Sequence, residues 1–388
     1  MLPASAVLFL GTDQPLPLML RNVMGTPLLS YLAAALTERG VGRFFVACRT
    51  AHRETVKTCF PADAKLTIAC DGEVTERLRV FLDLAEDGER EVLLMTAPAM
   101  PVPPSAMQSF TRAPAPAPVY TVRRRGLADA VNAAFSFKDL LREQGKPCTD
   151  RDGWYAVTSP EELADWQSVL CRETLARLVR GGAEIWDYHN CYVDPDVTVG
   201  RGTVLLPGTI LRRGTVIGEN CTIGPNTMLT ATKVADGVTV NASQLDSAVV
   251  GKGAVIGPFA YVRPGTVIGE GCKVGDFVEL KNTTLGDGTK VPHLTYVGDS
   301  DVGKRTNFGC GCVTCNYDRA EKHRTTVGDD CFIGCNTNLV APVTVADGAY
   351  TAAGSTITED VPPDALAVAR ARQTNIAGWA KDHKVKKK

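Results

Sequence analysis

Between Val193 and Ile357 a mostly aliphatic residue returns at every sixth position, and no other feature of the chain restricts its fold so tightly. Val193, Val199, Leu205, Leu211, Ile217, Ile223 and Leu229 form one ladder. Val250, Ile256, Val262, Ile268, Val274 and Leu280 form a second, and Val327, Ile333, Leu339, Val345, Thr351 and Ile357 a third. Each rung is followed by a short polar or glycine-containing segment, as in Ile217-Gly-Glu-Asn-Cys-Thr222. A helix repeats every 3.6 residues and a half-buried strand every two, so neither produces this pattern. A period of six predicts a parallel β-helix, in which each hexapeptide supplies a short strand and a turn and buries its apolar side only by stacking on its neighbours.

The chain has 388 residues, enough for two or three domains with substantial cores. Its net charge of −1 creates no global field that would recruit nucleic acid or an acidic membrane. The one charge run, Lys381 to Lys388, reads as a solvated tail. Thirteen cysteines, an odd number without a compact framework, suit a reducing cytoplasm. The apolar stretch Ala4–Leu20 carries Asp13, Pro15 and Pro17 and has no basic residue before Arg21, so it predicts neither a signal peptide nor a membrane span.

Residues 1–155 alternate apolar runs at Ala6–Leu10, Phe44–Ala47, Leu66–Ala69 and Val92–Met95 with helical patterns near Leu28–Glu38 and Val74–Glu86. That alternation predicts an α/β layer on a mainly parallel sheet, with loops at Pro98–Pro118 and Gly145–Gly153. A connecting helical arm follows over 156–185, with Ser159 as N-cap, Glu162 completing a capping box and Gly181-Gly182 as the stop. Leu163, Trp166, Leu170 and Leu178 give this helix its apolar side. The β-helix domain takes residues 186–388, with its hexapeptide array running to about Pro362 ahead of a C-terminal tail; the array is loosened between Thr230 and Ala248 and steps by five at Leu280–Leu285 and Val297–Val302. Its interruption at Cys315–Thr326 predicts a loop extruded from one face.

If three hexapeptides make one triangular coil, residues eighteen apart stack at about the usual 4.8 Å strand spacing. Arg263 and Lys281 then stack on one edge, and two like charges so close favour an anion between them, a phosphate above all. Two solvated surface cations are the bland alternative. His293 is the one histidine inside the regular repeats and lies one to two faces from those cations, near Tyr296 and the loop bearing Lys322. Beside a phosphate site a neutral imidazole can take a proton from an amine or hydroxyl; a structural histidine is the competing reading. Cys335 and Ala353 mark a second edge of small residues, open to a thin ligand, a neighbouring subunit or ordinary packing. Cys310, Cys312 and Cys315 lack a fourth metal ligand nearby and cannot all point one way on a period-six coil, so repeat packing is the better account.

From about Ser159 onward the chain resembles the bacterial bifunctional enzymes that acetylate glucosamine-1-phosphate and uridylylate the product to UDP-N-acetylglucosamine. The resemblance is dense in Tyr261-Val-Arg-Pro-Gly265, Val274-Gly-Asp-Phe-Val-Glu-Leu-Lys281, His293-Leu-Thr-Tyr296 and Cys315-Asn-Tyr-Asp318. It continues in Leu339-Val-Ala-Pro-Val343, Ala365-Leu-Ala-Val-Ala-Arg370, Gln373-Thr-Asn375 and Gly378-Trp379. It implies a left-handed β-helix working as a homotrimer, with acetyl-CoA as co-substrate between subunits and no metal at the acetyl-transfer site. Carried over by resemblance, His293 is the general base, and Arg263, Lys281, Tyr296, Asn307 and Lys322 form the sugar-phosphate clamp. Asn316 is placed near the amine and thioester, and Tyr317, Cys335, Ala353 and Arg370 match coenzyme-contacting positions, with Cys335 where the family usually has serine.

The N-terminal domain departs from the same family, whose uridylyltransferase half opens with a glycine-rich, basic, phosphate-cradling loop. Here Leu8-Phe-Leu-Gly-Thr-Asp-Gln-Pro-Leu-Pro-Leu-Met19 has one glycine and no basic residue. Val92-Leu-Leu-Met-Thr-Ala-Pro98 lacks the carboxylate that would hold magnesium. Gly25-Thr-Pro-Leu-Leu29 still resembles the start of the family's first long helix. The expectation is a degenerate, shortened nucleotidyltransferase-like domain without UMP transfer, joined to an acetyltransferase that feeds peptidoglycan and other cell-envelope precursors. The alternatives are acetylation of another amino-sugar phosphate or sugar nucleotide, and a non-catalytic trimeric scaffold or regulator.

Overall fold

The computed structural model describes residues 2–10, 16–84, 90–102, 110, 117–132, 137–148 and 153–383. Residues 11–15 of the stretch compared with the phosphate loop, most of the 98–118 segment, residues 149–152 and the lysines from 384 onward lie outside the described residues. The chain divides into two compact units, Met1–Thr174 and Leu175–Lys388.

In the first unit, Ser5–Phe9, Arg43–Cys48, Lys65–Cys70 and Glu91–Met95 run parallel with Ser5–Phe9 central, as the α/β alternation predicts. Val119–Arg123 adds antiparallel to Glu91–Met95, and Lys146–Pro147 follows it. Because successive strand residues point to opposite faces, Ala6 and Leu8 join one core and Val7 the other. The helices Leu28–Glu38 and Val74–Asp83 bury their apolar sides in these two cores. The expected loop at 98–118 is corrected at its start: Ala99–Val102 is a strand, paired antiparallel with Gly153–Ala156. Ala99, Met100 and Val102 are buried, and a two-stranded ribbon tolerates Pro101, whose missing N–H breaks no interior ladder.

The helix Pro160–Arg180 begins with the predicted capping box: the Glu162 amide donates to Ser159 Oγ at 3.2 Å, and the Ser159 amide to Glu162 Oε2 at 3.1 Å. The helix ends at Gly181-Gly182, where Gly182 holds φ 97, a conformation open to glycine. The division between the units falls within this helix.

The second unit is a left-handed parallel β-helix of three faces, with eleven, ten and nine strands, starting from Glu184–Ile185, Tyr192–Val193 and Thr198–Val199 respectively. Val204 pairs with Thr222, eighteen residues on, as the period requires. Every rung of the three ladders is buried except Val199, which is half-buried. Each such side chain contributes roughly 1.5–3 kcal/mol by leaving water. The loosened stretch after Thr230 proves to be unbroken coil: Leu229, Val234, Val240, Leu245 and Val250 all point inward. Three of those steps are five residues long, and each shortened corner turns through one left-handed residue, Ala231, Ala242 or Ser247. The same device recurs at Asn282 and Asp299, in the two five-residue steps read from the sequence. The interruption is an extruded loop between the strands Val313–Cys315 and Thr325–Val327, in which Tyr317 and Lys322 form an antiparallel bridge.

Leu280→Ala, which empties a fully buried position, is expected to lower stability by about 2–5 kcal/mol in urea unfolding, whereas the outward Lys273→Ala changes it by less than about 0.5 kcal/mol. Ser159→Ala is expected to cost about 1 kcal/mol by the same measurement.

Candidate active site

On the second face Arg263 and Lys281 occupy one column, as their spacing predicts: the Arg263 amide donates to the Leu280 carbonyl at 2.8 Å, and Val262 pairs with Leu280. The cations are not bare. Arg263 Nη1 donates to Glu279 Oε1 at 2.8 Å, and Lys281 Nζ to Asp299 Oδ2 at 3.3 Å. Two carboxylates thus offset the repulsion that, on spacing alone, calls for an anion. Lys322 of the extruded loop restores the imbalance: it lies against Lys281, and the positive charges of Lys281 and Arg263 lower its pKa. Three cations against two carboxylates leave a net positive cluster, which still favours an anionic guest.

Glycine shapes this cluster. Gly298 pairs with Lys281 one coil on, and a Cβ added there would collide with the Tyr296 hydroxyl. The phenol therefore folds back over the position that a side chain would fill. Asn316 Nδ2 donates to that hydroxyl at 3.4 Å and to Asp299 Oδ2. Asp299 sits at a shortened corner, only 5% exposed, with φ 48, which aspartate tolerates better than most residues. Burial pushes its carboxyl up, but hydrogen bonds from Asn282, Asn316 and the Lys281 ammonium outweigh burial and hold it below the usual range. Arg263, Lys281, Tyr296, Asn316 and Lys322 are thus one constellation.

His293 stands apart from that constellation. It ends the strand Lys290–His293 on the first face, and the chain reaches Tyr296 on the second face only after turning at Leu294, φ 42. Its Nδ1 lies 2.6 Å from Asp276 Oδ1, and that hydrogen bond holds the Asp276 carboxyl below its ordinary range. Among the described residues the ring makes no hydrogen bond to Arg263, Lys281, Tyr296 or Lys322. Within one chain His293 and the two cations thus stand on different faces, one corner apart, within the one to two faces read from the sequence.

The remaining candidates are dispersed. Asn307 is on the first face, stacked between Lys290 and Phe332. Cys335 and Ala353 share a column on that face and are both exposed. Tyr317 is exposed on the loop, its hydroxyl donating to the Arg319 carbonyl at 2.6 Å. Arg370 is exposed beyond the last strand, Leu366–Ala367. Cys312 is buried, while Cys310 and Cys315 are half-buried at different points of the coil. Among the described residues no three His, Cys, Asp or Glu side chains gather as a metal site.

Sequence reasoning missed Asp276, Glu279 and Asp299. The residue eighteen before His293 is Gly275, and only the five-residue step at Leu280–Leu285 brings Asp276 into register with His293. Subtracting one residue for each short step would have found it.

The model of bacterial transferase hexapeptide repeats matches residues 196–231, 247–282 and 324–359, all within the coil. The bifunctional protein GlmU of Clostridium perfringens strain SM101 is 49% identical to this chain over 245 residues, 63% of this chain and 54% of that protein. That of Brevibacillus brevis is 48% identical over 246 residues, 62% of this chain and 53% of that protein. These relatives bear out the resemblance read from the sequence, and the chain spans about half the length of the curated relatives it matches. A solved Arabidopsis UDP-N-acetylglucosamine acyltransferase covers 48% of this chain and 69% of its own, at 16% identity and a TM-score of 0.33.

Asp299→Asn is expected to cost about 2–4 kcal/mol at pH 7 in urea unfolding, because it weakens the partner of a half-buried ammonium and two amides. A carboxyl whose folded pKa is depressed stabilises fully above its unfolded pKa and loses that contribution as pH falls through the folded value. The deficit relative to wild type should therefore shrink below about pH 4.

Proposed function

We propose that the coil transfers the acetyl group of acetyl-CoA to the amine of glucosamine-1-phosphate. The observation that carries this reading is the net positive cluster of Arg263, Lys281 and Lys322, ordered by Tyr296 and Asn316, with a carboxylate-bound imidazole around the corner of the coil. The cations hold the sugar phosphate, Arg263 by its fork and the lysines as point charges. His293 takes a proton from the sugar ammonium, and the freed amine attacks the thioester carbonyl. The new C–N bond forms and the C–S bond breaks; the nitrogen gives up a second proton, and coenzyme A leaves as thiolate and takes up one proton to become the free thiol. Fixing the phosphate orients the amine, so binding energy remote from the reacting atoms lowers the barrier.

Because base and clamp lie on different faces of one chain, the working site requires a neighbouring copy, in a homotrimer. Phe259, Phe277 and Leu294 support this: they line the corner beside His293, each more than half exposed, and the two phenyl rings stack 5.4 Å apart. A contiguous apolar corner of this kind favours contact with another subunit. Asn307 of one copy completes the clamp, and Tyr317, Cys335, Ala353 and Arg370 line the coenzyme path. Among the described residues no helix is long and apolar enough to cross a membrane, and the odd cysteine count without a compact framework suits a reducing cytoplasm. The first unit is proposed to transfer no UMP: its strand Glu91–Met95 runs on into Thr96-Ala-Pro98 without a carboxylate for magnesium.

Thiol release from acetyl-CoA, measured with and without glucosamine-1-phosphate, tests the reading. His293→Ala is expected to lower kcat by about 10²- to 10⁴-fold, and Arg263→Ala to raise the sugar-phosphate KM by roughly 10- to 100-fold. Equal rates for wild type and His293→Ala would remove the base. Release with another amino sugar alone would change the acceptor, and no release with any would leave a scaffold. Incorporation of radiolabelled UTP by the full chain would overturn the loss of UMP transfer.

A further inference from the structure

We propose that Asp276 is the positioning residue of the base, fixing His293 as the Nδ1–H tautomer so that Nε2 presents its lone pair to the substrate amine; this rests on the acetyl-transfer reading above. Asp276 and His293 are register partners on adjacent strands of the first face, and Oδ1 lies 2.6 Å from Nδ1. Gly275, immediately before Asp276, admits no side chain, since a Cβ there would collide with the Pro292 carbonyl oxygen. The two strands thus lie close enough at this point for the short aspartate side chain to reach the ring. A carboxylate held below its ordinary pKa only accepts hydrogen bonds at neutral pH, so the shared proton is on Nδ1 and the neutral ring carries none on Nε2. When Nε2 takes the ammonium proton, the charge that develops on the ring meets a carboxylate already in place, with no reorganisation required.

The other ionisable groups around the ring do not substitute for Asp276. Lys273 and Lys290, on the two paired strands, are cations and cannot accept from Nδ1. Cys310 holds the equivalent position one coil on and is half-buried. Glu279, across the corner, is committed to Arg263.

The test uses the full chain and three variants, Asp276→Asn, Asp276→Ala and His293→Gln. Asp276→Ala should lower kcat for thiol release about 10- to 100-fold with KM for glucosamine-1-phosphate and acetyl-CoA changed less than about twofold. Asp276→Asn, which keeps an acceptor but not the charge, should fall between wild type and alanine. Independently of activity, ¹⁵N NMR of histidine-labelled protein, with the His293 resonances assigned by their loss in His293→Gln, should show Nδ1–H in wild type and a shift toward Nε2–H in Asp276→Ala. An Nε2–H tautomer in wild type, or a tautomer unmoved by Asp276→Ala, would overturn the proposal even if acetyl transfer is confirmed. If wild type releases no thiol with any amino-sugar phosphate, the functional reading fails and the NMR result alone decides the role of Asp276.

Discussion

The second unit depends on one interaction, the stacking of inward aliphatic side chains from coil to coil. No hexapeptide buries its apolar residue alone, so Ile256 needs Val240 below and Val274 above, and the register of every outward residue is set by that inner column. The candidate site is therefore written on the outside of the coil by a constraint on its inside. Arg263 and Lys281 meet because Val262 and Leu280 do.

The corners supply the second degree of freedom. A five-residue step removes one corner residue and passes the turn to a single left-handed position, and two of the five such corners lie beside the cation cluster. Asn282 and Asp299 occupy them, and with Asn316 they stack into a hydrogen-bonded column that holds the Lys281 ammonium. The same shortening moves the partner of His293 from Gly275 to Asp276. Small changes in corner length thus select which polar residues face one another, while the core is undisturbed, since Leu280 and Leu285 stay buried on either side of the step.

The first unit obeys different physics. Its central strands are covered on both sides by separate cores, which explains their continuous apolar runs and why their ends were legible to within a residue or two. The strand Ala99–Val102 was not legible, because Pro101 and the prolines flanking the strand suggest a loop and its partner Gly153–Ala156 lies some fifty residues away in sequence.

By itself the sequence determined the three-faced coil, its extruded loop, the α/β layer and the columns of Arg263 with Lys281 and Cys335 with Ala353, because a strict period converts position directly into place. Only the tertiary structure decided that a single corner separates His293 from those cations, that Glu279 and Asp299 neutralise part of their charge, and that Asp276 holds the imidazole. These are matters of side-chain direction and of one-residue steps, and a period read from inward aliphatic residues carries no information about where an outward side chain turns once it leaves the coil.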